Sequence, residues 1–257
     1  MNQWNKPPLG SIIDHEHPLS RGLVMALLMN EGSGNRTYDL THNGNDGVLT
    51  NGPLWKPGRN GAAISFDGAS QYAQISDSQM WDDIATHGSV YVVFNPAVVP
   101  TSGFAYPHLV ARRTTSASVW NFFIQSYSGG NLRFASAARD VVLEGSVPKV
   151  GVWQDGLTTW GGNKATMYQN GSAMSTDTTA ATVGTGDLGI GIGDRIGGGR
   201  SFIGQISDVR IWNRALSAQE VQDLYTNPYG CIWEPRKYWL MPQGVTIPPH
   251  LLFRRVA

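Results

Sequence analysis

The pattern of apolar and polar residues predicts a chain built mainly of short β-strands. Residues alternate in the segments 63–68 and 72–75, which predict the two strands of a hairpin. Turn residues such as Asn170-Gly171 separate many of the apolar segments. The other predicted strands lie at 23–28, 89–95, 108–113, 118–127, 131–137, 150–160, 164–169 and 188–193. Short strands at this spacing favour an all-β, antiparallel sandwich.

The spacing of apolar residues changes part-way along the segment 202–225. Its first half alternates like a half-buried strand. Ser217 is followed three residues later by Glu220, which is the spacing of a capping box. Val221 and Leu224 then lie on one face of a short helix, predicted near 217–226. A long strand therefore leads into the one helix that the pattern predicts.

The two ends of the chain differ from its middle. Residues 1–21 are polar and irregular, and we treat them as an N-terminal arm; 22–227 form the predicted sandwich, and 228–257 a C-terminal arm. The C-terminal arm contains five Pro and two Trp, and its apolar content is too high for a solvated tail. Two alternatives remain open: this arm wraps its own domain, or it docks on a neighbouring subunit.

Composition narrows the function classes. Nineteen basic and 19 acidic residues balance, so the basic footprint of a nucleic-acid-binding protein is absent. The single Cys231 allows no internal disulfide. No stretch approaches the roughly 20 apolar residues of a membrane span. The apolar segment 23–29 follows acidic residues and lacks a cleavage pattern, so we predict no signal peptide and synthesis in a cytoplasm.

Five segments resemble one known family in their order along the chain. The sequence G-x-I-S-D-V-R-I-W-N-R-A-L-S-x-x-E-V, from Gly204, resembles the closing motif of laminin-G-like/concanavalin A-like jelly-roll domains. The other four resembling segments are 22–34, 39–49, 63–68 with Tyr72, and 167–171. The resemblance implies a jelly-roll β-sandwich over about residues 22–227. It leaves function open, because this fold hosts lectins, hydrolases and structural modules.

A shorter resemblance concerns the start of the C-terminal arm. Asn227-Pro228 leading into residues rich in Trp, Arg and Pro resembles laminin-G-like proteins of tailed bacteriophages and prophages. It implies a virion protein whose arms bind other virion proteins or like subunits. The candidate anchoring residues are Trp233, Arg236, Tyr238 and Trp239.

A loop rich in oxygen ligands is a candidate calcium site. Asp39, Asn43, Asn45 and Asp46 supply side-chain oxygens of the kind that Ca²⁺ prefers. The family resemblance implies that Asp208, on the closing strand, joins this loop at one structural Ca²⁺. The site would then consist of Asp39, Asn43, Asp46 and Asp208. The alternative is that Asp39 caps a turn and Asp208 bonds backbone amides.

Aromatic residues in loop-like contexts are candidates for sugar binding. Trp55, Tyr106 and Trp160 could stack on sugar rings, or they could cover hydrophobic edges. Glycoside hydrolysis requires two paired carboxylates, and no E-x-D-x-E strand of the β-glucanase type is present, so we predict no catalytic residue. The leading hypothesis is a non-enzymatic phage virion protein of head or tail. The alternatives are a carbohydrate-binding adhesin that recognises a cell-surface glycan, with or without calcium, and a glycoside hydrolase.

Overall fold

The fold is a sandwich of two antiparallel β-sheets. A computed structural model describes residues 5–99, 106–115, 120–126, 129–136, 142–178 and 185–233. Within these residues each sheet contains eight strands, and a separate pair of short strands joins the two ends of the described chain. The predicted antiparallel jelly-roll sandwich is confirmed.

The strands are numbered in chain order. They are β1 (Ile12–Ile13), β2 (Leu23–Leu27), β3 (Arg36–Thr37), β4 (Gly47–Thr50), β5 (Leu54–Pro57), β6 (Ala62–Asp67), β7 (Tyr72–Ile75), β8 (His87–Pro96), β9 (His108–Arg113), β10 (Trp120–Ser126), β11 (Leu132–Ser136), β12 (Val142–Glu144), β13 (Gln154–Gly161), β14 (Lys164–Gln169), β15 (Ser172–Asp177), β16 (Ile190–Ile192), β17 (Ile203–Trp212) and β18 (Ile232–Trp233). The helices are α1 (Met80–Asp83) and α2 (Ala218–Thr226), and Pro18–Ser20 forms a 3₁₀ turn. Within the described residues, no helix is long and apolar enough to cross a membrane.

The order of strands in space shows where the chain crosses between sheets. The first sheet has the order β12-β11-β10-β9-β16-β7-β4-β3. The second has the order β15-β14-β13-β8-β17-β6-β5, and β2 also pairs with β17. Strand β17 thus has β8 on one side, with β6 and β2 sharing the other. The long strand singled out in the sequence is therefore central to the second sheet.

The pattern predicted most of the long strands and missed several short ones. Its predicted hairpin of 63–68 and 72–75 is wrong, because β6 pairs in the second sheet and β7 in the first. Strands β9 and β14 have the predicted bounds, and the bounds of β8 lie within two residues of the prediction. Strand β15 was not predicted because its residues are mostly polar and exposed, as suits a strand at the sheet edge. The predicted capping box is present: the Glu220 amide donates to Ser217 Oγ at 3.2 Å, and the Ser217 amide donates to Glu220 Oε2 at 2.9 Å.

The main hydrophobic core lies between the two sheets. Its buried residues come from both sheets and from α1, and they include Phe66, Trp81, Phe94 and Phe134. One buried cation lies among them: Arg112, from β9, pairs with Asp82 Oδ1 at 2.8 Å and Asp77 Oδ1 at 3.0 Å. This pairing ties α1 and the residues before it to the first sheet.

An irregularity in β17 decides which of its side chains face the core. The pairing with β8 shifts by one residue between Ile206 and Asp208, so Ser207 is a β-bulge. Ile206 and Val209 consequently both face the main core, although they are three residues apart. After the bulge, Asp208 and Arg210 lie on the opposite face of the strand. Strict alternation would have placed Asp208 and Arg210 on the same face as Ile206.

A second hydrophobic cluster covers the outer face of the second sheet. It joins sheet residues to α2 and to both ends of the described chain, including Ile13, Leu19, Val221, Leu224 and Ile232. The Trp212 indole donates to the Leu19 carbonyl at 2.7 Å. Strand β1 pairs antiparallel with β18, with Ile13 opposite Ile232. Residues 228–233 therefore pack on their own domain, the first of the two alternatives, as far as the description extends.

Candidate functional site

A pocket of about 540 Å³ opens between the N-terminal segment and the loop that follows β3. We call it the arm–loop pocket. The residues that line it are Pro8, Leu9, Gly10, Ser11, Leu28, Asn30, Glu31, Tyr38, Asp39, Leu40, His42, Gly44 and Asp46. Its volume lies within the range of small-molecule sites. Three of its residues are acidic, and they come from two different chain segments.

The shape of the loop depends on the carboxylate of Asp39. Its Oδ1 accepts from the amides of Ala26 at 3.0 Å and Thr41 at 3.1 Å. Its Oδ2 accepts from the Thr41 hydroxyl at 2.7 Å and from the Asn45 amide at 3.2 Å. Asp39 is buried, so these four bonds satisfy a carboxylate that solvent does not reach. They fix the start of the loop against β2.

Further polar contacts hold the remainder of the loop. The side-chain amides of Asn43 and Asn45 both donate to the Val24 carbonyl, at 3.0 and 2.8 Å. Asp46 Oδ1 accepts from the Asp39 amide at 2.9 Å, and its Oδ2 lies 3.8 Å from Arg36 Nη1. His42 adopts a left-handed backbone with φ of +63°, a conformation that His tolerates better than most residues. The loop is therefore held by hydrogen bonds from its own side chains.

The structure does not bring the four predicted calcium ligands together. Asp208 is buried, and the Arg210 guanidinium binds both its oxygens, at 3.0 Å to Oδ1 and 2.7 Å to Oδ2. Asp39 acts as a turn cap, as in the alternative interpretation. In the described part of the chain, no group of three or more His, Cys, Asp or Glu residues could hold a metal ion. The bulge at Ser207 places Asp208 on the outer face of the sheet, where Arg210 binds it.

The opposite wall of the pocket is the N-terminal segment, which Lys6 fastens to the sandwich. Lys6 Nζ donates to the carbonyls of Met29 at 3.2 Å and Ala62 at 2.5 Å. The side-chain amide of Asn30 donates to the Pro7 carbonyl at 2.6 Å. Burial lowers the pKa of Lys6 to about 8, although the carboxylates of Asp208 and Glu31 oppose that shift. The wall is thus held by specific bonds immediately before Pro8–Ser11.

Glu31 and Tyr38 give the pocket its chemical character. Glu31 Oε1 accepts from the Tyr38 amide at 2.7 Å and from the Thr37 hydroxyl at 3.2 Å. The other oxygen, Oε2, is buried and has no hydrogen-bond partner among the described residues. The Tyr38 side chain is 58% exposed and Leu9, across the pocket, is 61% exposed. The pocket therefore combines exposed apolar surface with carboxylate acceptors.

Of the three predicted sugar-stacking residues, Trp160 is placed wrongly by the sequence argument. Trp160 is 1% exposed and stacks on Phe134 in the main core, with ring centroids 5.6 Å apart. Its indole nitrogen donates to the Ile84 carbonyl at 2.8 Å. The residue opposite it on β8 is Gly88, where an added Cβ would come within 2.5 Å of the Trp160 ring. The missing side chain at Gly88 makes the space that the indole fills.

The other two aromatic candidates are partly exposed, and they lie apart from the arm–loop pocket. Trp55, on β5, pairs opposite Ile64, packs against the main core and lines a second, smaller hollow. Tyr106 has the Arg200 guanidinium 4.8 Å from its ring centroid. Neither residue lines the arm–loop pocket.

Of the four predicted anchoring residues, Trp233 is described, and it is 54% exposed. Arg236, Tyr238 and Trp239 lie outside the described residues. The sequence argument missed Glu31 and Tyr38 as site residues. The available signal was an aromatic residue directly before Asp39, in a loop already marked as rich in polar side chains. Nothing in the sequence indicated that the N-terminal segment forms the opposite wall of the pocket.

Comparison with known proteins now identifies the family. A family model described as the concanavalin A-like lectin/glucanases superfamily matches residues 67–222, more than half of the chain. The chain belongs to this superfamily. The arm–loop pocket lies before the matched segment in the sequence, so the superfamily match does not cover it. No curated protein sequence matches the chain significantly.

Solved structures of this superfamily's fold are similar to the chain at low identity. Domain 4 of the extracellular GH43 arabinanase AbnA from Geobacillus stearothermophilus, in complex with arabinotriose, is 18% identical with a TM-score of 0.61; the match covers 79% of this chain and 98% of that one. Trypanosoma rangeli sialidase in complex with sialic acid is 14% identical with a TM-score of 0.62, covering 82% of this chain and 33% of that one. The binding domain of Paraclostridial Mosquitocidal Protein 1 is 15% identical with a TM-score of 0.63, covering 81% and 53%. The chain thus spans about a third of the sialidase.

Proposed function

We propose that this protein is a non-enzymatic, lectin-like module that binds carbohydrate in the arm–loop pocket. One observation carries the proposal: the exposed Tyr38 side chain lines a pocket whose other lining groups include the carboxylates of Glu31 and Asp46. A sugar presents an apolar ring face and a rim of hydroxyl donors. The pocket offers a complementary partner for each.

The ring face of a sugar would lie against Tyr38 and the apolar Leu9 across the pocket. Tyrosine provides a large, rigid contact surface with a polar end, which suits an amphipathic ligand. The sugar hydroxyls would donate to carboxylate oxygens, and bonds to charged acceptors are stronger than neutral ones. Asp39 does not serve this role, because four protein donors already occupy its oxygens. Asp46 Oδ2 is the more available acceptor, since its nearest cation, on Arg36, is 3.8 Å away.

The similar structures support the proposal only through their fold. The arabinanase domain is in complex with arabinotriose and the sialidase with sialic acid. The identities are too low to transfer a ligand. The acidic lining of this pocket favours a neutral sugar over an acidic one, because a carboxylate ligand would be repelled by Glu31 and Asp46.

A glycan array tests the proposal. The wild-type protein should bind at least one class of neutral glycan, and Tyr38→Ala should reduce that signal about tenfold or more. The matched control is Tyr225→Ala, because Tyr225 lies on α2, is 44% exposed and does not line the pocket. Absence of wild-type binding to every glycan, or equal loss in the two variants, would contradict a sugar site at Tyr38.

We propose separately that the protein is a virion component whose C-terminal arm anchors it. Ile12 and Trp233 support this proposal, since they pair directly opposite each other in β1 and β18 and are 50% and 54% exposed. Together they form a small apolar patch, and contact with another chain would cover it. They lie where the chain continues into 234–257.

Truncation after Trp233 tests the anchoring role. Because Cys231 and Ile232 are buried in the second cluster, a cut at residue 228 would also damage the fold. The full chain should co-sediment with phage particles in a density gradient, and the chain ending at Trp233 should remain at the top. Both chains should show the same melting temperature. Equal incorporation of the two chains would contradict anchoring by the C-terminal arm, and absence of the full chain from particles would contradict a virion role.

A further inference from the structure

A second hollow lies beside the arm–loop pocket. It has a volume of about 350 Å³ and is lined by Gly32, Trp55, Lys56, Pro57, Gly61 and Ala62. We call it the Trp55 groove. None of its residues belongs to the arm–loop pocket, yet Gly32 directly follows Glu31, which lines that pocket. Consecutive Cα atoms are about 3.8 Å apart, so the two hollows are neighbours at this point.

The wall between the two hollows is fixed on both sides by one residue. Lys6 Nζ donates to the Met29 carbonyl, next to pocket residue Asn30, and to the Ala62 carbonyl, in the groove. The Lys6 amide donates to the Asn60 carbonyl at 2.9 Å. The Lys6 side chain also lies against Gly61, where an added Cβ would be 3.2 Å from its Cδ. The relative position of the hollows is therefore set by protein bonds and does not depend on a ligand.

Trp55 is held in one orientation within the groove. Its Nε1 donates to the Gly34 carbonyl at 2.8 Å, and part of its ring packs against the main core. Because its polar atom is already bonded, the part of the indole that remains exposed presents an apolar surface. Gly32 and Gly61 have no side chains to cover that surface, and the exposed Lys56 supplies a hydrogen-bond donor beside it.

We infer that the Trp55 groove is a second sugar subsite, which extends the arm–loop pocket so that the ligand is an oligosaccharide. The inference rests on the proposed carbohydrate-binding function. One sugar ring would occupy the arm–loop pocket at Tyr38, and a later ring of the same oligosaccharide would stack on Trp55. The two subsites differ in charge, since carboxylates line the first and Lys56 is among the residues that line the second. Affinity therefore depends on the length of the glycan.

The test compares short and long glycans of one series. Titration calorimetry is run with the mono-, di-, tetra- and hexasaccharides of whichever neutral series gives the strongest signal on the glycan array. For the wild type, the dissociation constant should fall about tenfold between the disaccharide and the hexasaccharide. For Trp55→Ala that ratio should approach one, whereas Trp55→Phe, which keeps an aromatic ring, should retain most of it. Lys56→Ala, at an exposed position that does not endanger folding, should lower the ratio severalfold.

The ratio separates a subsite from damage to the fold. A purely structural defect weakens the binding of short and long glycans alike, so it leaves the ratio unchanged. A wild-type ratio of one, or a ratio that neither Trp55→Ala nor Lys56→Ala changes, overturns the second subsite and leaves the arm–loop pocket standing. If no glycan binds the wild type at all, the proposed function itself fails, and this inference fails with it.

Discussion

Replacing Arg210 by Met should lower the free energy of unfolding by about 3–5 kcal/mol. Arg210 and Asp208 are almost fully buried, with side-chain exposures of 0% and 1%. The guanidinium makes two bonds to the Asp208 carboxylate and donates from Nη1 to the Pro228 carbonyl at 2.6 Å. It also lies 5.4 Å from the Tyr229 ring centroid. The substitution therefore leaves a buried carboxylate and a carbonyl without their donors.

The size of the effect follows from what remains after the change. An unpaired buried charge accounts for most of the loss, and the carbonyl left without its donor adds about 1–3 kcal/mol. Removing both charges, as in Asp208→Leu with Arg210→Met, should restore most of the stability. The matched control is Arg36→Met, because Arg36 and Asp46 are 3.8 Å apart and 49% and 30% exposed. That exposed pair should contribute less than about 1 kcal/mol.

Urea denaturation followed by tryptophan fluorescence measures the wild type, Arg210→Met, Asp208→Leu, the double variant and Arg36→Met. The slope of the unfolding free energy against urea concentration should stay constant, so that shifts in midpoint report stability. The reasoning is refuted if Arg210→Met costs no more than Arg36→Met. It is also refuted if the double variant loses the sum of the single losses, because the two charges would then act independently.

Other predictions concern pH, packing, metal and chemistry. Burial raises the pKa of Asp155 from 3.8 to about 6, so the folded state binds more protons in this range and stability falls as the pH rises from about 4 to 6. Relative to Asp155→Asn, the wild type should lose about 2 kcal/mol across that window, and a constant difference in urea midpoints would contradict the assignment. Gly189→Ala should cost about 3 kcal/mol or more in chemical denaturation, because its Cβ would lie 1.8 Å from the Ile75 carbonyl oxygen; Gly151→Ala, with open space but a φ of +73°, should cost about 1–2 kcal/mol. EDTA should leave the melting temperature unchanged, because protein donors already bind the Asp39 oxygens; a drop on chelation, reversed by Ca²⁺, would support the calcium prediction instead. Incubation with β-glucans should release no reducing sugar, and turnover that survives repurification would show an enzyme.

The fold was predictable from sequence because its signals are local. The alternation over residues 72–75, which form β7, and the spacing of Ser217 and Glu220 depend on residues close together in the chain. The two-residue strands β1 and β18 were missed, because they exist only through pairing between residues over 200 positions apart. The residues next to a strand in the sequence do not indicate a pairing partner so far away.

The candidate site was less predictable, because it depends on contacts between distant segments. Asp208 was assigned to the Asp39 loop, but one extra residue at Ser207 changes the face on which Asp208 lies. Trp160 was taken for a surface residue, although Gly88 on the neighbouring strand makes a space for its ring. In both cases the decisive information belongs to a partner strand or to a register shift. Tyr38 lines the arm–loop pocket because the N-terminal segment faces it, and that contact joins distant parts of the chain.

The pairing of β1 with β18 has a mechanical consequence. Ile12 and Trp233 form the outer rung of this ladder, and Ile13 and Ile232 the inner one. Tension applied between the segment before Ile12 and the segment after Trp233 would enter at the outer rung and separate the strands one rung at a time. Such unzipping loads few hydrogen bonds at once, so the ladder would open at low force while the sandwich stays intact. The wall of the arm–loop pocket is continuous with β1. A pull that opens the ladder would therefore also load that wall.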